Sequence, residues 1–170
     1  MSSLIDTKFG TVRGFVQLML DYMAMYAGLY RKYGTIDWSS VRRLVFVCQG
    51  NISRSPYAHW IALRETDAVA ALGLNTETGM QAYDMALDVA RTSGVDLTPH
   101  PTTDWSDFEF CDGYLVLAME MRHIRIIEER PMDCDIRVVL LGLWCRPHMP
   151  LLYDPHRLSS AYFTKGLLLR

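Results

Sequence analysis

One short stretch restricts the fold more than any other part of this chain. Residues 44–47 (LVFV) form an apolar run without polar alternation, and a Gly-Asn loop and then Ser55-Pro56 follow it. A run of this kind is typical of a parallel strand that is buried on both faces, and proline favours the first position of a helix. The stretch therefore predicts a buried β-strand that leads directly into an α-helix.

The same alternation recurs along the rest of the chain. Further strands are predicted at residues 114–119 and 137–141, and helices at residues 55–66, 81–93, 123–130 and 159–169. Strands that alternate with helices predict an α/β fold, here a doubly wound parallel sheet flanked by helices. We expect this domain to cover residues 41–170.

Residues 1–40 predict a helical extension in front of that domain. Within residues 11–33 the apolar side chains recur every three or four positions, so we expect one amphipathic helix that ends near Gly34. Its apolar face is expected to pack on the domain, or else to form a homodimer with a second copy of the chain. Residues 15–30 are too few and too polar to predict a membrane-spanning segment, and the N-terminus does not resemble a signal peptide.

Composition excludes several classes of protein. The 170 residues carry a formal net charge of -2 and the pI is about 6.2, which does not favour nucleic-acid binding. The cysteines at positions 48, 111, 134 and 145 form no C-x-x-C pair, which argues against a structural metal and against a disulfide framework. We therefore expect reduced thiols, a cytoplasmic location, no metal and no cofactor.

Residues 48–55 (CQGNISRS), called the anion loop below, are the candidate chemical centre. A loop that curls from a strand into a helix directs its backbone N–H groups at one point and can bind an anion there. Asn51 and the neighbouring glycine tolerate the left-handed backbone that such a curl needs, and Arg54 offers a planar fork to phosphate oxygens. The same positive field favours the nucleophilic thiolate form of Cys48, to which Ser55 can donate a hydrogen bond. The other candidate phosphate-binding residues are Gln49, Gly50, Asn51, Ile52 and Ser53.

The anion loop resembles the C-x-G-N-x-x-R-S loop of the low-molecular-weight protein tyrosine phosphatases, which is commonly followed by proline. The similarity continues through most of residues 42–169. Residues 94–100 (GVDLTPH) look like the family's G-[IV]-D-x-x-x-H segment, residues 115–120 resemble its strand ending in Met-Asp, and Asp154-Pro155 resembles its acid-bearing Asp-Pro. The resemblance implies a phosphatase-I-like fold with an added N-terminal helix.

The resemblance also implies a mechanism without a metal. Cys48 would attack phosphorus and form a phosphocysteine, while Arg54 and the loop amides stabilise the phosphoryl oxygens. Asp154 would protonate the leaving oxygen and then activate water, and His100 would hold Asn51 in place. The implied substrate is a phosphotyrosine protein, or a small phosphoester.

Parts of the chain depart from the family pattern. Ser53 stands where the family often has a second cysteine, and His156 and Arg157 stand where two aromatic residues commonly flank the phosphotyrosine ring. Residues 75–79 (NTETG) lack the bulky residue that usually lies on the other side of that ring. Phosphoester hydrolysis is therefore predicted with an altered substrate pocket. Candidate replacements for the aromatic residues are Tyr153, Trp144 and a tyrosine of the N-terminal helix.

Two other functions remain as alternatives. Arsenate reduction on the same fold would need cysteines that relay a disulfide from Cys48, and the wide spacing of Cys111, Cys134 and Cys145 disfavours such a relay. A non-enzymatic phosphate-binding or scaffolding protein is disfavoured because the chain keeps both Cys48 and Asp154.

Overall fold

The computed structural model describes residues 12–152 of the chain. The predicted helix at 159–169, Asp154 and the two residues expected in the substrate pocket, His156 and Arg157, lie outside this range. The elements are α1 (Val12–Tyr26), β1 (Arg43–Cys48), α2 (Arg54–Ala62), β2 (Val69–Gly73), α3 (Asp84–Thr92), β3 (Tyr114–Ala118), α4 (Met121–Glu128) and β4 (Ile136–Leu140).

The four strands form one parallel sheet in the order β2-β1-β3-β4. Strand β1 pairs with β2 on one side and with β3 on the other, so the strand order reverses at β1. Ligands of doubly wound folds bind beyond the carboxyl ends of the strands at such a reversal. The predicted α/β fold class is confirmed, and the sheet places the anion loop at this reversal.

Strand β1 is buried on both faces, as its unbroken apolar run predicts. Val45 and Val47 belong to a core cluster on one face of the sheet, and Phe46 and Cys48 belong to a second cluster on the other face. Helix α4 packs in the first cluster through Ile124, while α2 packs against the second. A fully buried side chain of this kind contributes about 1.5–3 kcal/mol, so the strand that carries the anion loop is firmly held.

Strand β2 was not predicted from the sequence. Its five residues (VAALG) are mostly alanine, glycine and leucine, which have little preference for strands. Tertiary pairing with β1 forms the strand, because Leu72 lies beside Val47 and is fully buried.

The prediction of one helix through residues 11–33 is wrong at its C-terminal end. Helix α1 ends at Tyr26, and Gly28 adopts a left-handed φ of 80°. The amide of Leu29 donates to the carbonyl of Ala24 (3.0 Å) and that of Gly28 to Met25 (3.0 Å), which is the Schellman arrangement that closes helices. The apolar spacing continues past this point because Tyr30 and Tyr33 of the following turns are buried in the core.

Other helix boundaries shift by a few residues. Helix α2 ends at Ala62 rather than at 66, and α4 covers Met121–Glu128 rather than 123–130. No helix within residues 12–152 is long and apolar enough to cross a membrane.

Candidate active site

The anion loop begins where β1 ends and finishes in the first turn of α2. The Sγ atom of Cys48 lies 3.0 Å from the Ser55 hydroxyl and accepts the backbone N–H of Asn51 at 3.3 Å. A thiolate only accepts hydrogen bonds, so the Ser55 hydroxyl donates to it when Cys48 is ionised. Cys48 is 2% exposed, so both hydrogen bonds are shielded from water.

Asn51 braces the loop from inside. It is fully buried with a left-handed φ of 52°, its side-chain amide donates to Ser55 Oγ at 2.8 Å, and its Oδ1 accepts the Thr103 amide at 2.9 Å. The Nε2 atom of His100 lies 3.2 Å from both the carbonyl oxygen and the Oδ1 of Asn51. Both are acceptors, so Nε2 carries the proton. The structure thus brings His100 to Asn51.

His100 is neutral in this position. Its pKa is lowered to about 4, chiefly by burial and to a smaller extent by the nearby ring of His59, and the hydrogen bond to the Asn51 carbonyl opposes these effects only in part. A neutral imidazole keeps one N–H for Asn51 at physiological pH.

Strand β2 approaches the anion loop closely at Gly73. A Cβ atom on this residue would lie 2.6 Å from Thr76 Cγ2 and 3.1 Å from the carbonyl carbon of Gly50. Only glycine leaves room for the loop at this point.

Arg54 lies almost entirely below the surface, 5% exposed, and its Nη1 atom has two oxygen partners. It donates to the Leu152 carbonyl at 2.7 Å and to Glu120 Oε1 at 3.3 Å. The guanidinium is therefore held on one side, which reduces the side-chain freedom that ligand binding would cost.

Glu120 is a site residue that sequence reasoning missed. Its Oε1 also lies 3.2 Å from Arg122 Nη2 and 3.0 Å from His123 Nε2. Burial raises the pKa of Glu120, but the adjacent His123 N–H and the positive charge of Arg54 outweigh burial and lower it to about 2. The signal in the sequence was a single acidic residue directly after the buried strand β3, the neighbour of β1.

Two of the candidate replacements for the family's aromatic residues contact other parts of the chain. Trp144 and Trp38 make an edge-to-face contact with ring centroids 5.6 Å apart, and both side chains are partly exposed. Tyr22 of α1 donates its hydroxyl to the His148 carbonyl at 3.1 Å and stacks on Tyr26. Tyr153 lies outside the described residues.

The other three cysteines lie at both edges of the sheet. All four thiols are free. Cys111 and Cys134 precede β3 and β4 at the amino edge of the sheet, whereas Cys48 ends β1 at the carboxyl edge. Cys145 follows β4 at the carboxyl edge and packs against the core cluster that includes Cys48. Within residues 12–152 no group of three or more His, Cys, Asp and Glu side chains is placed to hold a metal ion.

Comparison with known proteins gives one consistent family. Residues 43–167 match the sequence model described as low molecular weight phosphotyrosine protein phosphatase. The low molecular weight protein-tyrosine-phosphatase Wzb of Escherichia coli K12 is 33% identical over 124 residues, which cover 71% of this chain and 82% of Wzb.

Solved structures resemble the chain as well. The tyrosine phosphatase Wzb of Escherichia coli K30 in complex with sulphate has a TM-score of 0.65 at 24% identity, covering 76% of this chain and 90% of that one. The YwlE arginine phosphatase of Geobacillus stearothermophilus has a TM-score of 0.58 at 23% identity, covering 74% of this chain and 82% of that one. At these identities the comparison shows that the chain shares the fold of both structures.

Proposed function

The chain belongs to the low molecular weight phosphotyrosine protein phosphatase family and is a phosphatase; from that premise we propose that it hydrolyses phosphotyrosine in proteins through a phosphocysteine on Cys48. The observation that carries the proposal is the position of Cys48 Sγ, between the Ser55 hydroxyl at 3.0 Å and the Asn51 amide at 3.3 Å. Both groups can donate a hydrogen bond to the sulfur when it attacks as a thiolate, the nucleophilic form of cysteine.

The first half of the proposed reaction transfers the phosphoryl group to the enzyme. The Cys48 thiolate attacks phosphorus, the S–P bond forms as the bond to the leaving oxygen breaks, and Asp154 gives its proton to that oxygen. Arg54 and the inward-facing amides of the anion loop stabilise the charge on the other phosphoryl oxygens. The buried contacts of Arg54 support this role, because a fixed guanidinium presents its fork without reorganisation.

The second half restores the enzyme. The Asp154 carboxylate takes a proton from water, the water oxygen attacks the phosphocysteine, and inorganic phosphate leaves as the Cys48 thiolate reforms. These two half-reactions balance without a metal or a redox cofactor.

Asp154 is proposed as the acid from its place in the sequence. It is the second residue after Leu152, whose amide donates to the Met119 carbonyl at 3.0 Å and whose carbonyl accepts Arg54 Nη1 at 2.7 Å. Two residues of chain span at most about 7 Å. The hydrogen bonds that hold Leu152 beside Arg54 therefore support Asp154 as the proton donor.

The substrate proposal needs its own test, because the family's flanking aromatic residues are replaced. Purified full-length protein is assayed with a phosphotyrosine peptide, with a small aryl phosphate and with a phosphoarginine peptide. We expect turnover of the first two and the highest kcat/KM for the phosphotyrosine peptide. Preference for phosphoarginine would refute the substrate, and phosphate binding without any turnover would indicate a binding protein.

The roles of the residues are tested with matched variants. Cys48→Ser is expected to abolish turnover while phosphate binding stays measurable, and Arg54→Lys is expected to be severely impaired because an ammonium cannot form two parallel hydrogen bonds. Cys111→Ser is the control, since Cys111 is exposed and lies at the opposite edge of the sheet. Equal activity of Cys48→Ser and Cys111→Ser would overturn the assignment of the nucleophile.

A further inference from the structure

We propose that the N-terminal segment (residues 12–40) positions the catalytic acid by holding the loop that leads to it, with Tyr22 and Trp38 as the positioning residues. The proposal rests on the proposed function, because it assumes that Asp154 is the acid. The loop concerned, residues 142–149, is called the acid-side loop below.

The acid-side loop is closed on itself. The amide of Met149 donates to the Gly142 carbonyl at 2.8 Å, and that of Cys145 donates to the same carbonyl at 3.3 Å. A Cβ atom on Gly142 would overlap the carbonyl group of Met149, so only glycine permits this closure. Since its two ends are bonded together, the loop responds to a contact as one unit.

The chain that leaves the acid-side loop enters the active site directly. Leu151 and Leu152 are buried, and Leu152 bonds to Met119 at the end of β3 and to Arg54 of the anion loop. A displacement of the loop therefore reaches the residues just before Asp154.

The N-terminal segment contacts the acid-side loop at three points. The Tyr22 hydroxyl donates to the His148 carbonyl at 3.1 Å, and Trp38 meets Trp144 edge to face with an interplanar angle of 83°. A Cβ atom added to Gly34 would lie 3.3 Å from Leu143, so the backbone of the segment passes close to the start of the loop.

The segment is itself anchored to the rest of the domain, so these contacts come from a fixed support. Tyr30 and Tyr33 are buried, and the Tyr33 hydroxyl donates to Glu128 Oε1 at 3.0 Å. Arg137 of β4 donates to the carbonyls of Lys32 and Thr35, each at 3.3 Å. Support from a fixed element restricts the loop more than contact with a mobile arm would.

Loss of the contacts between the N-terminal segment and the acid-side loop is expected to weaken proton donation rather than nucleophilic attack. Aryl phosphates with poor leaving groups depend on the acid, whereas those with good leaving groups do not. Trp38→Ala is therefore expected to lower kcat/KM for phenyl phosphate by about three- to tenfold, the loss that one aromatic pair can account for, and to leave kcat/KM for a dinitrophenyl phosphate within about twofold.

The experiment measures kcat/KM across a series of aryl phosphates for the full-length wild type, Trp38→Ala, Tyr22→Phe and Trp38→Phe. Trp38→Phe keeps an aromatic contact and should restore most of the activity on phenyl phosphate. Met23→Ala is the control, because Met23 is an exposed residue of α1, the helix that carries Tyr22. The inhibition constant of inorganic phosphate should not change in any variant. Tyr22→Phe removes one hydroxyl and should show the same dependence on the leaving group even where Trp38→Ala fails to fold.

The outcomes separate this inference from the proposed function. If Asp154→Asn does not increase the dependence on leaving-group pKa, the acid assignment fails. If Asp154→Asn increases it and neither Trp38→Ala nor Tyr22→Phe does, or if these variants lose activity equally on all leaving groups, only the positioning role is overturned. In the double variant Trp38→Ala with Asp154→Asn the loss due to Trp38 should disappear, because no acid is left to position.

Discussion

Replacing Glu120 with glutamine tests the ion pair between Glu120 and Arg54 of the anion loop. Glu120 Oε1 contacts Arg54 at 3.3 Å, and its side chain is 13% exposed. Its pKa falls from 4.5 to about 2, and since one pKa unit corresponds to about 1.4 kcal/mol, the carboxylate contributes about 3 kcal/mol to stability at neutral pH. Glu120→Gln keeps the shape but leaves the Arg54 charge without this partner, so we expect a loss of about 3 kcal/mol at pH 7.

The loss has a defined pH dependence. The pKa of Glu120 is lower in the folded chain, so its stabilisation is complete above about pH 4.5 and is lost as the pH falls towards 2. The difference in unfolding free energy between wild type and Glu120→Gln should therefore shrink to about 2 kcal/mol at pH 3.5.

Urea unfolding at pH 7 and pH 3.5 measures both quantities, and at pH 7 the melting temperature should fall by about 6–12 °C. Glu65→Gln is the control because Glu65 is exposed. Equal stability of Glu120→Gln and wild type at pH 7, or a difference that does not change between the two pH values, would show that the Glu120 carboxylate does not stabilise the fold.

Two further predictions concern Ser53 of the anion loop and His100, which bonds to Asn51 of that loop. Burial lowers the pKa of His100 from 6.5 to about 4, so the free energy of unfolding should fall by up to about 3 kcal/mol as the pH falls from 6.5 to 4. Urea unfolding across this pH range should show the decrease in wild type. An equally steep decrease in His100→Gln would contradict the prediction. Ser53 cannot trap an oxidised Cys48 as a disulfide, so long exposure to peroxide should inactivate wild type in a way that dithiothreitol does not reverse, whereas Ser53→Cys should recover; activity and intact mass measure this, and full recovery of wild type with a mass two hydrogens lighter before reduction would reveal another partner.

The parts of the fold that were predictable are those that neighbouring residues determine. The anion loop is one continuous segment. Consecutive residues therefore predict the strand before it, the left-handed backbone at Asn51 and the start of the helix after it. The end of α1 was predicted wrongly for a related reason. Apolar spacing reports which residues are buried, and it continued through Tyr30 and Tyr33 although the backbone had already turned at Gly28.

The parts that were missed depend on contacts between distant segments. Glu120 meets Arg54 across 66 positions of the chain, and only the pairing of β1 with β3 places their carboxyl ends together. Strand β2 likewise forms because β1 offers it hydrogen bonds, not because its own residues favour a strand. The contact between Trp38 and Trp144 depends on the path of the N-terminal segment past Arg137 of β4, which no local pattern specifies.

We propose that phosphate passes through Cys48, and rapid quenching can detect such a covalent intermediate. Wild-type protein is mixed with a phosphotyrosine peptide labelled on phosphorus, stopped within the first turnover and digested. We expect the label on the peptide that contains Cys48, no label on that peptide in Cys48→Ala, and a longer-lived label in Asp154→Asn because water is no longer activated. Turnover of the phosphotyrosine peptide without label on Cys48, or label on another residue of the wild type, would show that Cys48 is not the nucleophile.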